Sequence, residues 1–109
     1  MDASQENLRA QMRKGLLEYC ILSILAKKDA YASSIIEELK GANMIVVEGT
    51  LYPLLIRLKN QGMLSYRWEE SPQGPPRKYY EITPKGGLQL EEMNAAWHEI
   101  VETIQTLQQ

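Results

Sequence analysis

Four segments of the chain carry apolar residues at helical spacing, and one carries the alternation of a sheet. Residues 5–27 place Leu8, Met12 and Leu16 four apart and then show the wide apolar face of Leu16, Leu17, Cys20, Ile21, Ile24 and Leu25. Gly15 interrupts this segment, where a kink is expected, and Lys27 and Lys28 supply the positive charge that suits a helix C-terminus. A second helix is expected over residues 30–40, with Asp29 as its N-cap, Tyr31, Ile35, Ile36 and Leu39 buried, and Gly41 as its stop. Residues 44–47, Met-Ile-Val-Val, then read as a short strand or as packing beneath the next helix.

The third helix, residues 49–61, turns Leu51, Leu54, Leu55 and Leu58 to one side and meets Gly62 where a left-handed cap belongs. That setting leaves Gly49, Thr50, Pro53, Arg57 and Asn60 outward, with Tyr52 and Lys59 on the flanks. Pro53 is expected in the early turns, where a missing N–H matters least. Beyond Gly62, Leu64, Tyr66 and Trp68 alternate with Ser65, Arg67 and Glu69. The run breaks at the turn formers of residues 71–76 and resumes as an aromatic strand through Ile82. This is a β-hairpin, with Trp68 and Tyr80 expected to pack it onto the helices and Arg77 and Lys78 expected at its tip. Thr83 and Pro84 suit the N-cap and first position of a last helix, which Gly86 and Gly87 weaken by about 1 kcal/mol each relative to alanine. Its apolar positions Leu90, Met93, Trp97, Ile100, Ile104 and Leu107 recur at steps of 3 and 4, a heptad seam with too little of its own chain left to cover it. Those six residues are the expected homodimer interface.

The predicted fold is mainly α with a small β-hairpin: a winged helix-turn-helix over residues 1–83, with an N-terminal helix, followed by a dimerisation helix over residues 84–109. In such a fold the helix enters a major groove and the hairpin reaches the backbone. The outward face of the third helix with Arg77 and Lys78 therefore forms the candidate DNA surface. Ser33 and Ser34, near a helix N-terminus, are added as phosphate contacts. Serine is equally common in a first turn for structural reasons alone.

Charge first argues against a nucleic-acid partner, because the net value is −2. Distribution reverses that. All 12 Lys and Arg lie in residues 1–87 against 10 acids, a balance of +2, while the tail holds Glu91, Glu92, Glu99 and Glu102 and no base. Six tyrosines and two tryptophans with no phenylalanine suit wet edges and interfaces better than a dry interior. The single Cys20 allows no internal disulfide, fits a reducing cytoplasm, and reads as a small buried hydrophobe. No segment has the apolar length to span a bilayer, and no signal peptide is evident, so a cytoplasmic protein is expected. One histidine, His98, and no His/Cys cluster argue against a metal centre; no nucleophile–base pair or phosphate loop argues for catalysis, and no cofactor is expected.

The runs GTLYPLLIRLKNQGML at residues 49–64 and GPPRKYYEITPKG at residues 74–86, with a tryptophan between them, resemble the signature of the PadR-family transcriptional regulators. The likeness covers roughly residues 8–90. It implies a dimeric winged-helix repressor acting on a palindromic operator in double-stranded DNA. Leu8-Arg-Ala-Gln11 and the last-helix Trp97 are further similar to the multidrug-binding subgroup of that family, whose paired tryptophans sandwich flat drugs. If the dimer axis passes near Trp97, that residue and its mate would face across a slot lined by Leu8, Met12 and Met93, suited to a planar aromatic effector. A tryptophan that only packs is the plainer alternative. The rival to DNA binding is a winged-helix module used for protein contacts, since the fold serves both.

Overall fold

The computed structural model describes residues 3–109. Helix α1 (Ala3–Arg13) buries no residue; a 3-10 turn at Lys14–Leu16 separates it from α2 (Leu17–Lys27), whose Ile21, Leu22, Ile24 and Leu25 are buried. Gly15 sits inside that turn, with open space where a side chain would be. A glycine there disfavours a continuous α-helix, and nothing packs to hold one.

The second helix starts later than its periodicity suggests. Ala30–Tyr31 is a short strand, β1, and the helix, α3, runs over Ala32–Gly41. Asp29 is not its N-cap: Tyr31 holds that position without a side-chain cap, and the Asp29 carboxylate instead accepts from Arg67 at 3.3 Å. The competing attraction is a sheet edge. Two residues pair with the third strand, Ala30 with Tyr80 and Tyr31 with Tyr79, and the Tyr31 and Tyr79 rings stack at 4.8 Å. Gly41 is the last residue of α3, as expected, but the left-handed position lies beyond it at Asn43 (φ 65°), and the Met44 N–H closes onto the Leu39 carbonyl at 2.8 Å. Residues 44–47 form no strand. Val46 is buried while Ile45 and Val47 stay exposed.

Helix α4 (Glu48–Asn60) buries Leu51, Leu55 and Leu58 and half-buries Leu54. Gly62 takes φ 79°, its N–H bonds to Lys59 at 3.0 Å, and the Met63 N–H reaches back to the Leu58 carbonyl at 2.9 Å. This pair of bonds is a Schellman cap. Because α4 begins at Glu48, Pro53 is not among the first positions, whose donors are free in any case. It removes the hydrogen bond to the Gly49 carbonyl, which is tolerable because both residues are exposed to water.

Strands β2 (Leu64–Ser71) and β3 (Gly74–Ile82) form the hairpin, and the sheet is antiparallel in the order β1-β3-β2. Helix α5 (Pro84–Leu107) follows at once. Thr83 locks its start: the hydroxyl oxygen accepts from the Gly86 N–H at 3.0 Å and donates to the Gly62 carbonyl at 2.6 Å. Gly86 is buried, and a Cβ there would overlap the Met63 carbonyl oxygen and come within 2.8 Å of Ile82 Cγ1. The glycine that lowers helix propensity is thus what lets α5 seat on the β2 entry.

The core is built by α2, α3 and α4 with Leu64 and Tyr80 closing it from the sheet; Ile21, Leu22, Leu25, Ile35, Leu51, Leu55 and Leu58 are fully buried. The rest extends outward. The extents are 55 × 36 × 21 Å and the radius of gyration is 15.7 Å, where a compact chain of this length would have roughly 13 Å. Among the described residues no helix is long and apolar enough to cross a membrane.

Candidate nucleic-acid interface

The hairpin's ladder decides where its cations point. Arg77 pairs with Glu69 and Lys78 with Trp68, so both lie within the strands rather than at the tip, which is Pro72–Gln73. Consecutive strand residues leave opposite faces. Arg77 lies over the Tyr31 ring at 4.1 Å, and Lys78 over Tyr66 at 4.6 Å and Trp68 at 5.6 Å. Lys59 reaches the same Tyr66 ring from α4, 5.9 Å from its centroid. Ring faces are negative, so they hold these cations in place while leaving their outer N–H groups available. Of the two aromatics expected to pack the hairpin down, Tyr80 does so. Trp68 does not: it is exposed beside Lys78, edge-on to Tyr66 at 6.0 Å.

Arg67 is used differently. Its guanidinium bonds Glu69 at 2.8 Å and Asp29 at 3.3 Å, approaches Glu81 at 3.6 Å and covers the Tyr79 ring at 4.5 Å. Hydrogen bonds to Glu69, then Asp29, hold its pKa above the ordinary value. Three carboxylates neutralise it, so Arg67 ties the wing to the α2–α3 link instead of offering charge to a partner. On the inner face burial raises the Tyr80 pKa, with Tyr52 and Tyr66 adding to the effect.

Between α3, α4 and the wing lies an open concavity of about 390 Å³ bordered by Ser33, Tyr52, Trp68, Arg77 and Lys78, with Glu48 at its edge. Ser34 is not part of its lining and is half-buried. The α3 N-terminus opening onto it has no side-chain cap, which leaves backbone N–H groups unsatisfied beside two cations. Along α4, Gly49, Thr50, Tyr52, Pro53, Ile56, Arg57, Lys59 and Asn60 are all exposed. They divide by flank. Tyr52 and Lys59 face the wing, whereas Thr50 and Arg57 lie on the opposite side, about 160° round the helix. Arg57 there approaches Glu18 of α2 at 3.5 Å. Ile56, which the leucine pattern gives no reason to single out, is 54% exposed near the middle of the outward face.

A second feature lies far from this surface. Leu90 and Met93 are half-buried against the body's own core, and the Tyr19 hydroxyl donates to Asn94, so one face of the first half of α5 is covered by its own chain. Further along, Trp97, Ile100, Ile104 and Leu107 are exposed by 39, 51, 48 and 75%. An apolar hollow of about 660 Å³ runs between this part of α5 and the α1–α2 junction, with Met12, Leu16, Trp97, Ile100, Val101 and Ile104 in its wall. Leu8 and Met93 do not line it; Leu8 stands exposed on α1.

A helical core with an aromatic wing and cations gathered on one side of an exposed helix defines the winged-helix class of DNA-binding domains. Residues 21–92 match the transcriptional regulator PadR-like family, and the chain belongs to it. Its members are DNA-binding transcriptional regulators, not enzymes. The chain is 60% identical to a PadR-like transcription factor from Bacteroides fragilis, over 93% of this chain and 98% of that one, with a TM-score of 0.80. A PadR-family regulator from Eggerthella lenta is 32% identical, over 94% and 89% of the two chains, at a TM-score of 0.87. A PadR-like regulator from Bacillus cereus is 39% identical, over 91% and 97%, at 0.77.

Proposed function

We propose that this chain is a homodimeric repressor that seats α4 of each subunit in a major groove. Residues 1–83 act as the DNA-binding unit and residues 84–109 as the dimerisation helix. The gathering of Arg77, Lys78, Lys59 and the uncapped α3 N-terminus along one side of α4 carries the reading. Phosphates need donors and positive charge on an accessible surface, and this side supplies them despite the net charge of −2. Ser33 adds a hydroxyl at that N-terminus. Gly49, Pro53 and Tyr52 give the leading turns of α4 a surface that a groove wall can approach.

Two such units on one palindrome require a fixed separation of roughly 34 Å, one turn of duplex. The exposed half of α5 supports pairing through Trp97, Ile100, Ile104 and Leu107, while Leu90 and Met93 anchor the helix to its own subunit. The test is binding to duplexes selected from a random pool by the full-length protein. A palindrome should emerge, and its log affinity should fall linearly with log salt. Arg77→Ala or Lys78→Ala should flatten that slope by about one unit for each phosphate contact removed. Absence of any enriched sequence, or affinity indifferent to salt, would instead favour a protein-contact module.

The hollow beside Trp97 supports a second element of the proposal, release from DNA by a planar aromatic effector. A ligand between α5 and the α1–α2 junction would bear on the helix that sets the spacing of the two heads. Titration with a planar dye such as Hoechst 33342 should quench Trp97 fluorescence and lower operator affinity. Quenching without any change in affinity would remove the regulatory role.

A further inference from the structure

The centre of the outward face of α4 carries no arginine and no lysine. Arg57, the only arginine on the helix, is drawn to the far flank beside Glu18 at 3.5 Å, and Lys59 is drawn toward the wing over Tyr66. What remains at the centre of the face is Gly49, Pro53, Ile56 and Asn60, all exposed. Arginine, or lysine, bidentate to the O6 and N7 of guanine is the commonest specific contact in a major groove, and this face does not present it. An exposed isoleucine on the reading helix of a DNA-binding regulator has one favourable partner there, the C5 methyl of thymine, which is the groove's apolar group.

We infer that Ile56, with Pro53 one helical turn before it, reads thymine methyl groups, so that Ile56 is a specificity-determining residue. The face has the geometry for this. Residues 53 and 56 lie about 4.5 Å apart along the helix axis, close to the 3.4 Å rise of one base step, so they meet neighbouring base pairs. The flanking cations, Lys59 and Lys78 on one side, hold the helix to the backbone without adding sequence preference. Ile56 also borders the small groove between α4 and the wing, with Asn60, Tyr66 and Lys78, which keeps its position fixed relative to the phosphate contacts. The inference rests on the DNA-binding reading above.

Deoxyuridine differs from thymine only by the missing methyl, so it isolates the contact. Duplexes selected from a random pool by the full-length protein are resynthesised with deoxyuridine replacing thymine at one position at a time. At one or two positions in each half-site, affinity should drop about fivefold or more, within the range that a single altered base contact produces. The Ile56→Ala protein should bind the thymine and deoxyuridine duplexes equally, while keeping the wild-type salt slope and melting temperature. If Ile56→Ala retains the full preference for thymine, or if no deoxyuridine substitution weakens binding while the selected sequence is still recognised, the inference is overturned and the DNA-binding reading stands. If no sequence is selected at all, both fall together.

Discussion

The winged-helix body and the two arms are made from similar apolar residues, yet they end in opposite states. In the body, α2, α3 and α4 bring seven side chains to complete burial. In the arms, α1 buries nothing and α5 beyond Met93 leaves Trp97, Ile100, Ile104 and Leu107 open. Length explains the contrast. Helix α5 has 24 residues, about 36 Å, and the body offers a surface only to its first half. The body is therefore specified by its own sequence, while the arms are specified by what they meet. Four exposed apolar side chains at heptad spacing are the surface on which the proposed pairing of two copies rests.

The sharpest way to break the body is at Gly86, where it holds α5. Gly86→Val should destabilise the protein by about 3 kcal/mol or more, since backbone oxygen cannot move aside. Gly87, one position on, has open space around a built Cβ, and Gly87→Ala should stabilise by about 0.5–1 kcal/mol. Chemical denaturation of both variants checks the pair. Equal effects would mean that the seat on Met63 does not govern α5.

A second cut compares a core leucine with an arm isoleucine. Leu55→Ala should cost about 2–5 kcal/mol at every protein concentration. Ile104→Ala should leave the unfolding of a dilute monomer almost unchanged. It should instead weaken association, seen as a smaller rise of melting temperature with concentration and a lighter species in sedimentation. Similar, concentration-independent losses for both would erase the distinction drawn between the two regions.

How much of this was legible in the residues follows the same division. The stripe Leu51, Leu55, Leu58 and the stop at Gly62 were plain because one helix face and one cap are local signals. The seam of α5 was plain for the same reason, but periodicity could not say that Leu90 and Met93 turn to their own body while Trp97 does not. Strand β1 was hidden because two residues carry no alternation; only its partners Tyr80 and Tyr79, far along the sequence, make it a strand. The role of Arg67 left no local sign, because its three carboxylates lie on the α2–α3 link and both wing strands. Gly86 looked like a weakness, since a backbone approach from Met63 has no trace in the sequence around it. On α4, the leucine stripe was read correctly, while the carboxylate that Arg57 approaches, Glu18, belongs to another helix and left no sign in the local pattern.

A smaller effect tests the cap that joins body to arm. Thr83→Ala removes both the acceptor for the Gly86 N–H and the donor to Gly62, and should cost about 1–2 kcal/mol. Thr83→Ser keeps both atoms and should recover most of it. Failure of serine to rescue would assign the loss to the methyl group instead of the hydrogen bonds.

The smallest effect lies inside the body, at Cys20. The thiol is half-buried beside the core of α2, and burial raises its pKa because the thiolate loses water that nothing replaces. The raised value means that the folded protein holds the proton more tightly than the unfolded chain. The linked stability is therefore complete below the ordinary thiol pKa and is lost as pH rises through the raised one. Alkylation by iodoacetamide should accordingly be slower in the native protein than in urea, and its rate should climb at higher pH. A native profile coinciding with the unfolded one would place Cys20 in water, and the partial burial of its thiol on α2 would fail with it.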